Sequence, residues 1–220
     1  MLLAIFREVL ATVAMLHAHR VTHYDLKCDN VLLVETTGRG KESSSAKAPA
    51  VTIADFGESH MFVSEKDEFF TTSKGTINIQ SPEMVTLSRN TKVDTDFYDR
   101  RKKVGTNRLS DIWSLGCLFY ELLTGEYLFD EFEVWNVVVG ARNQGGPSDH
   151  DRLLPPPKRA KMKQNWYLID FLLFMLVRDP SRRPSVDTVL KRFEHVHALL
   201  APKGALPIQP RFDDASTGQE

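Results

Sequence analysis

His23-Tyr24-Asp25-Leu26-Lys27-Cys28-Asp29-Asn30 stands directly before the apolar stretch Val31 to Val34, and Asp55-Phe56-Gly57 directly after the apolar stretch Val51 to Ala54. An aspartate, a lysine two residues on and an asparagine three beyond that share one short loop, and a second aspartate ends the next apolar segment. Those residue types suit the movement of a phosphoryl group. That chemistry needs a carboxylate to take a hydroxyl proton and oxygen ligands for Mg²⁺, which prefers carboxylate and carbonyl oxygens and keeps some of its waters. Taken alone, the first motif also reads as an ordinary polar turn between a helix and a strand, and a lone Asp-Phe-Gly carries little information. The rest of the chain decides between the two.

Upstream, Leu2, Ile5, Phe6, Val9, Val13 and Leu16 recur at spacings of three and four, one face of an amphipathic helix reaching to about His19. His17 and His19 fall at its C-terminal end, where the dipole favours them. Val31 to Val34 and Val51 to Ala54 read as a hairpin that carries the two motifs toward each other. The stretch between them, Glu35 to Ala50, is rich in Gly, Ser, Thr and Lys and far longer than the roughly 2–5 residues a hairpin loop needs, so it reads as a mobile insertion.

Past Gly57, the polar segment Glu58 to Lys74 leads to Gly75-Thr76 and Ser81-Pro82-Glu83. A second polar and charged insertion spans Thr86 to Ser110. Asp111-Ile112-Trp113-Ser114-Leu115-Gly116 then opens a helix apolar almost all round, which belongs in a core, with Gly125 as its stop. Phe129 to Val139 and Trp166 to Val177 read as two more helices, separated by Gly145-Gly146-Pro147 and Pro155-Pro156-Pro157. After Asp179-Pro180-Ser181-Arg182-Arg183-Pro184, Ser185 is suited to N-cap a last helix ending near Leu200, and residues 201–220 form a polar tail expected to be disordered.

Composition bounds the function classes. With 220 residues, 42% hydrophobic and 26% charged, the chain has the make-up of one globular domain. A formal net charge of −1 gives no footprint for nucleic acid or an acidic membrane, and the basic runs Arg100 to Lys103 and Lys158 to Lys163 read as solvated loops. Cys28 and Cys117 are too few for a disulfide framework, which leaves the cytoplasm as the expected compartment. Met1 to Phe6 lacks the basic leader and cleavage site of a signal peptide, and Phe171 to Val177 is too short to span a bilayer.

Five motifs, in order across residues 16 to 185, resemble those of the eukaryotic protein kinases: the catalytic loop H-R-D-L-K-x-x-N, D-F-G, G-T…A-P-E, D-x-W-S-x-G and D-P-x-x-R-P. The resemblance implies a mainly α fold with a small β hairpin, the C-terminal lobe of a kinase whose complete domain would be α+β and two-lobed. It implies ATP and Mg²⁺ as cofactors and a protein substrate. By position, Asp25 is the catalytic base, Lys27 steadies the transferring phosphate, Asn30 and Asp55 hold the metal, and Leu32 lies at the floor under adenine. His23, Phe56, Gly57, Thr76, Glu83, Asp111 and Arg183 match structural and activation-segment positions, with Thr76 beside Asp25 and Lys27 as in serine/threonine kinases and Glu83 paired with Arg183.

Departures from the pattern also carry expectations. Ser81 replaces the family's Ala, and Tyr24 replaces the catalytic-loop Arg that elsewhere anchors a phosphate on the activation segment. A phosphate on Thr71, Thr72 or Ser73 therefore lacks that anchor and faces Asp67 and Glu68, so control is expected to come from partners or the insertions. No G-x-G-x-x-G cover and no V-A-I-K strand lysine occur, so residues 1–200 read as a partial kinase domain lacking its N-terminal lobe and inactive by itself. The alternatives are an inactive kinase-like scaffold, which would tolerate loss of Asp25, Asn30 or Asp55, and a small-molecule kinase, which would lack Ser81-Pro82-Glu83 and Asp111 to Gly116.

Overall fold

A computed structural model describes residues 1–34, 50–63, 73–88, 106–139 and 149–200. Most of the two insertions, Asp67, Glu68, Thr71, Thr72, Arg100 to Lys103, the Gly145-Gly146-Pro147 turn and the tail lie outside these residues. The fold is mainly α-helical with two small antiparallel sheets.

Helix α1 (Leu2–Ala18) buries Ile5, Phe6, Val9, Leu10 and Val13, the face that its apolar spacing marks out. It lies against α8 (Val186–Leu200), where Arg7 Nε donates to Glu194 at 2.7 Å. Against α1 and α7 packs α3 (Leu109–Thr124), whose residues from Ser110 to Tyr120 are all buried. A helix enclosed on every side is the centre of a core rather than its lid. Phe6 sits among Phe119, Phe171 and Phe193 at centroid distances of 4.6, 6.2 and 5.5 Å, joining α1, α3, α7 (Trp166–Met175) and α8. Such aromatic pairs add about 0.5–1.5 kcal/mol each beyond the area they bury. Gly125, in the left-handed region at φ +78°, stops α3 by donating to Glu121 O.

Two short sheets hang on this core. β1 (Val21–Thr22) pairs antiparallel with β4 (His60–Met61), and β2 (Val31–Val34) pairs antiparallel with β3 (Ala50–Ile53), with Val31 opposite Ile53. The second pair is the expected hairpin, and Ala50 belongs to its strand rather than to the insertion. The second insertion is also narrower than its composition suggests, since α2 (Pro82–Ser88) takes Thr86 to Ser88 and α3 takes Leu109 and Ser110.

Three local readings are corrected. Phe129 to Val139 is not one regular helix: an Asp130–Glu133 capping box starts the single turn α4 (Glu131–Glu133), which widens into a π turn over Val134–Val139. The run Lys158 to Lys163 is not a solvated loop. After α5 (Asp149–Leu153), Pro156 and Pro157 fill the first turn of α6 (Pro156–Lys161), where a missing N–H costs nothing. Lys158 Nζ reaches Leu128 O and the Glu133 carboxylate, and Arg159 reaches Leu154 O and Asp151. Finally, His17 is more than a dipole-favoured residue at a helix end, because it is buried and bonded to Asp111. His19 does remain exposed at the end of α1.

Candidate active site

The loop of Asp25 is hung from the central helix. Asp111, fully buried in the first turn of α3, accepts hydrogen bonds from His23 N (2.9 Å), Tyr24 N (2.8 Å) and His17 Nε2 (2.9 Å). Three donors on one buried carboxylate fix the backbone just ahead of Asp25, where Tyr24 takes a left-handed φ of +66°. The His23 ring ties the two motifs together. Its Nδ1 accepts from Asp25 N (3.2 Å), so the neutral ring donates from Nε2 to Ala54 O (3.1 Å), the carbonyl just before Asp55. Phe56 packs edge-on against that ring at 5.0 Å, and Ala54 N donates to Asn30 O at 2.9 Å.

Around the Asp25 carboxylate, Thr76 N donates to Oδ1 (2.8 Å), Asn30 Nδ2 donates to Oδ2 (3.2 Å), and Lys27 Nζ lies 3.2 Å from Oδ2. Lys27 also donates to Thr76 Oγ1 at 2.7 Å. Burial alone would raise the Asp25 carboxyl, yet the Thr76 hydrogen bonds and the Lys27 cation outweigh it and hold it below the ordinary carboxylate value. In the same way Asp25 holds Lys27 above its usual value against the opposing effect of burial. Asp25 is therefore an ionised acceptor at neutral pH. By contrast, Cys28 on the same loop has its thiol pushed up to about 12 by burial and the Glu121 carboxylate.

Two oxygen donors suit a hard cation. Asn30 spends its Nδ2 on Asp25, which leaves Oδ1 as the atom that could accept a cation. Asp55, exposed and at φ +59°, accepts from Gly57 N on Oδ1 at 3.2 Å, which leaves Oδ2. A carboxylate and an amide oxygen fit Mg²⁺, which takes few protein ligands and completes its shell with water and phosphate oxygens. Leu32, opposite Thr52, is 49% exposed, so its strand offers an open apolar face rather than a buried one.

The segment before α2 is clamped onto this loop. Gly75 has φ +79°, and a Cβ there would overlap Tyr24 O, so only glycine lets the segment approach. Gln80 Nε2 reaches Ser73 Oγ (3.2 Å), Lys74 O (2.8 Å) and Gly75 O (3.1 Å), fastening the residues just ahead of Thr76. Glu83 and Arg183 form a bidentate pair at 2.8 and 3.0 Å, with Ser110 Oγ donating to the same carboxylate at 3.0 Å. Gly75→Ala is expected to cost more than the roughly 1–2 kcal/mol of a left-handed alanine, because the loop must also shift. Thermal unfolding and the amide resonances of Tyr24 to Lys27 would show it, and an unchanged midpoint with unmoved resonances would contradict the contact.

At the position of the family's arginine, Tyr24 is buried with Phe62 and Met84, and its hydroxyl donates to Thr106 O at 3.1 Å. Burial raises that hydroxyl far above the usual tyrosine value, so it stays neutral. Sequence reasoning gave no role to Gln80, Ser110 or Thr106, and no pattern in the chain marks one. The partner of His17 was equally hidden, although Leu16-His17 stood out as a motif.

Comparison with known proteins agrees with this geometry. Residues 2–193 match the family described as "Protein kinase domain". A probable serine/threonine-protein kinase of Dictyostelium discoideum is 36% identical over 199 residues, 88% of this chain but 8% of that protein. The serine/threonine-protein kinase RAD53 of Saccharomyces cerevisiae is 26% identical over 204 residues, 91% of this chain and 21% of its own length. Mitogen-activated protein kinase kinase kinase 1b of Physcomitrium patens is 29% identical over 184 residues, 84% and 19% respectively. The chain thus spans less than a quarter of each of these relatives, and the family match over residues 2–193, which takes in the Asp25 loop, the Asp55 turn and the Glu83–Arg183 pair, places it in the protein kinase family.

Proposed function

We propose that the chain carries the catalytic loop and substrate-facing half of a serine/threonine protein kinase that transfers the γ-phosphate of ATP to a protein hydroxyl. The single observation behind this reading is the Asp25 carboxylate held between Lys27, Asn30 and Thr76. In this reading Asp25 takes the proton of the attacking hydroxyl, and Lys27 places positive charge where the phosphoryl group passes. Thr76 fixes both, which suits a serine or threonine acceptor. Asn30 and Asp55 are the residues that would hold the metal, with Leu32 at the adenine face. Bound MgATP supplies the phosphoryl group and neutralises its charge.

Residues 1–200 form the C-terminal lobe in this proposal, and the phosphate-binding lysine and glycine-rich cover come from a lobe outside this sequence. The proposed compartment is the cytoplasm, and no helix among the described residues is long and apolar enough to cross a membrane. A polypeptide of residues 1–220 alone is expected to transfer little or no phosphate, because its sequence holds neither a V-A-I-K strand lysine nor a G-x-G-x-x-G cover. Turnover of ATP and a protein substrate by this polypeptide at about 1–100 s⁻¹ would refute the two-lobed requirement. Activity in a two-lobed protein that is lost with Asp55→Ala and Asn30→Ala would support the metal assignment.

A further inference from the structure

The loop that carries Asp25 and Lys27 is held at a second point, just beyond Lys27. Cys28 N donates to Glu121 Oε2 at 3.2 Å. Glu121 belongs to α3, the helix whose first turn already holds the other end of the loop through Asp111. Asp111 and Glu121 stand about 15 Å apart along the helix axis, at roughly 1.5 Å per residue. The loop is thus pinned to one helix on both sides of Asp25 and Lys27.

The second anchor answers a local need of the backbone. Cys28 opens a single 3₁₀ turn, Cys28–Asn30, and the first N–H groups of such a turn have no acceptor within it. Lys27, the N-cap, makes no side-chain bond to them. Glu121 supplies an acceptor from another element. The turn closes with Asn30 N donating to Lys27 O at 3.0 Å, and it brings Asn30 Nδ2 to Asp25 O (2.8 Å) and Oδ2 (3.2 Å). Any displacement of Cys28 N therefore moves Lys27 on one side and Asn30 on the other, and both reach the Asp25 carboxylate.

We propose that Glu121 is a positioning residue for phosphoryl transfer: from α3 it sets the Cys28–Asn30 turn so that Lys27 and Asn30 meet Asp25. The inference rests on the kinase reading of that site. Glu121 touches no reacting atom and acts through the Cys28 N–H. A misplacement of about 1 Å at a reacting centre can cost on the order of 10²-fold in rate. The loop keeps its Asp111 anchor when Glu121 is lost, so the expected loss is smaller, about tenfold.

The test measures phosphate transfer by a two-lobed protein that carries this chain, in a cycle of Glu121→Ala, Cys28→Pro and the double variant. Proline deletes the donor N–H at the first position of a turn, where its ring is accommodated. Glu121→Ala is expected to lower kcat about tenfold, with KM for ATP and for the protein substrate changed less than about twofold. In the Cys28→Pro protein the same change should cost less than about twofold, because the bond it breaks is already gone. Glu121→Gln keeps an acceptor oxygen and should recover most of the rate. If Glu121→Ala does not stay folded, Glu121→Met takes its place in the cycle. Four results overturn the proposal: an unchanged kcat, an undiminished loss in the Cys28→Pro protein, a Glu121→Gln variant as impaired as Glu121→Ala, or a loss confined to KM for the protein substrate. A second readout needs no turnover. Burial and then Glu121 push the Cys28 thiol up to about 12, so Glu121→Gln in the 220-residue chain should speed iodoacetamide alkylation of Cys28 at least about threefold, with buried Cys117 as the unlabelled control. Unchanged alkylation overturns the contact itself. Failure of the kinase reading shows instead as an inactive unsubstituted two-lobed protein, so the two failures are distinguishable.

Discussion

Asp25→Asn, introduced into a two-lobed protein that carries this chain, should lower phosphoryl transfer by on the order of 10²–10⁴. The substitution keeps the shape of the side chain and removes its ability to accept a proton as an anion. It also changes the local hydrogen bonding, because an amide Nδ2 now meets either the Thr76 N–H or Lys27 and Asn30 Nδ2, all of which donate to Asp25. Two controls separate chemistry from disorder: nucleotide affinity and the unfolding midpoint should change little if only the proton acceptor is lost. A transfer rate equal to that of the unsubstituted protein, with both controls unchanged, would remove Asp25 from the role of base.

The parts of the site readable in advance are those whose chemistry demands a residue type at a fixed local spacing. Asp25, Lys27 and Asn30 share one short loop directly ahead of the apolar strand Val31–Val34. What escaped were partners set by tertiary packing. His17 and Asp111 are far apart in sequence, and only the docking of α1 against α3 brings their side chains to 2.9 Å. Burial of Tyr24 depends on Phe62 and Met84 closing over it, which no periodicity encodes. The three prolines from Pro155 misled for a definite reason: proline is a helix breaker in an interior but a helix starter in a first turn, and α6 uses it in the second way. The basic residues after it looked solvated because their acceptors, Leu128 O, Glu133 and Asp151, lie on other elements.

Removing either Glu83 or Arg183 should destabilise the fold by roughly 3–5 kcal/mol, whereas replacing both with neutral side chains of similar size should cost less than the sum of the two. The Arg183 guanidinium is enclosed and fully used: besides the two bonds to Glu83, it donates to Leu109 O (2.7 Å), Val177 O (2.9 Å) and Arg178 O (3.3 Å). It therefore ties α2 to the start of α3 and to the segment after α7, and its loss strands a buried carboxylate among carbonyl oxygens. Burial by itself would raise the Glu83 carboxyl, but Arg183 outweighs it and lowers it below the ordinary value. A lowered folded-state value means stability that is complete above the unfolded carboxylate range and declines as pH falls through it. The measurement is a urea-unfolding cycle of Glu83→Gln, Arg183→Met and the double variant, at neutral and at acidic pH. Strong coupling at neutral pH that shrinks in acid is the expected result, and additive losses at neutral pH would mean that the two residues are neighbours without being partners.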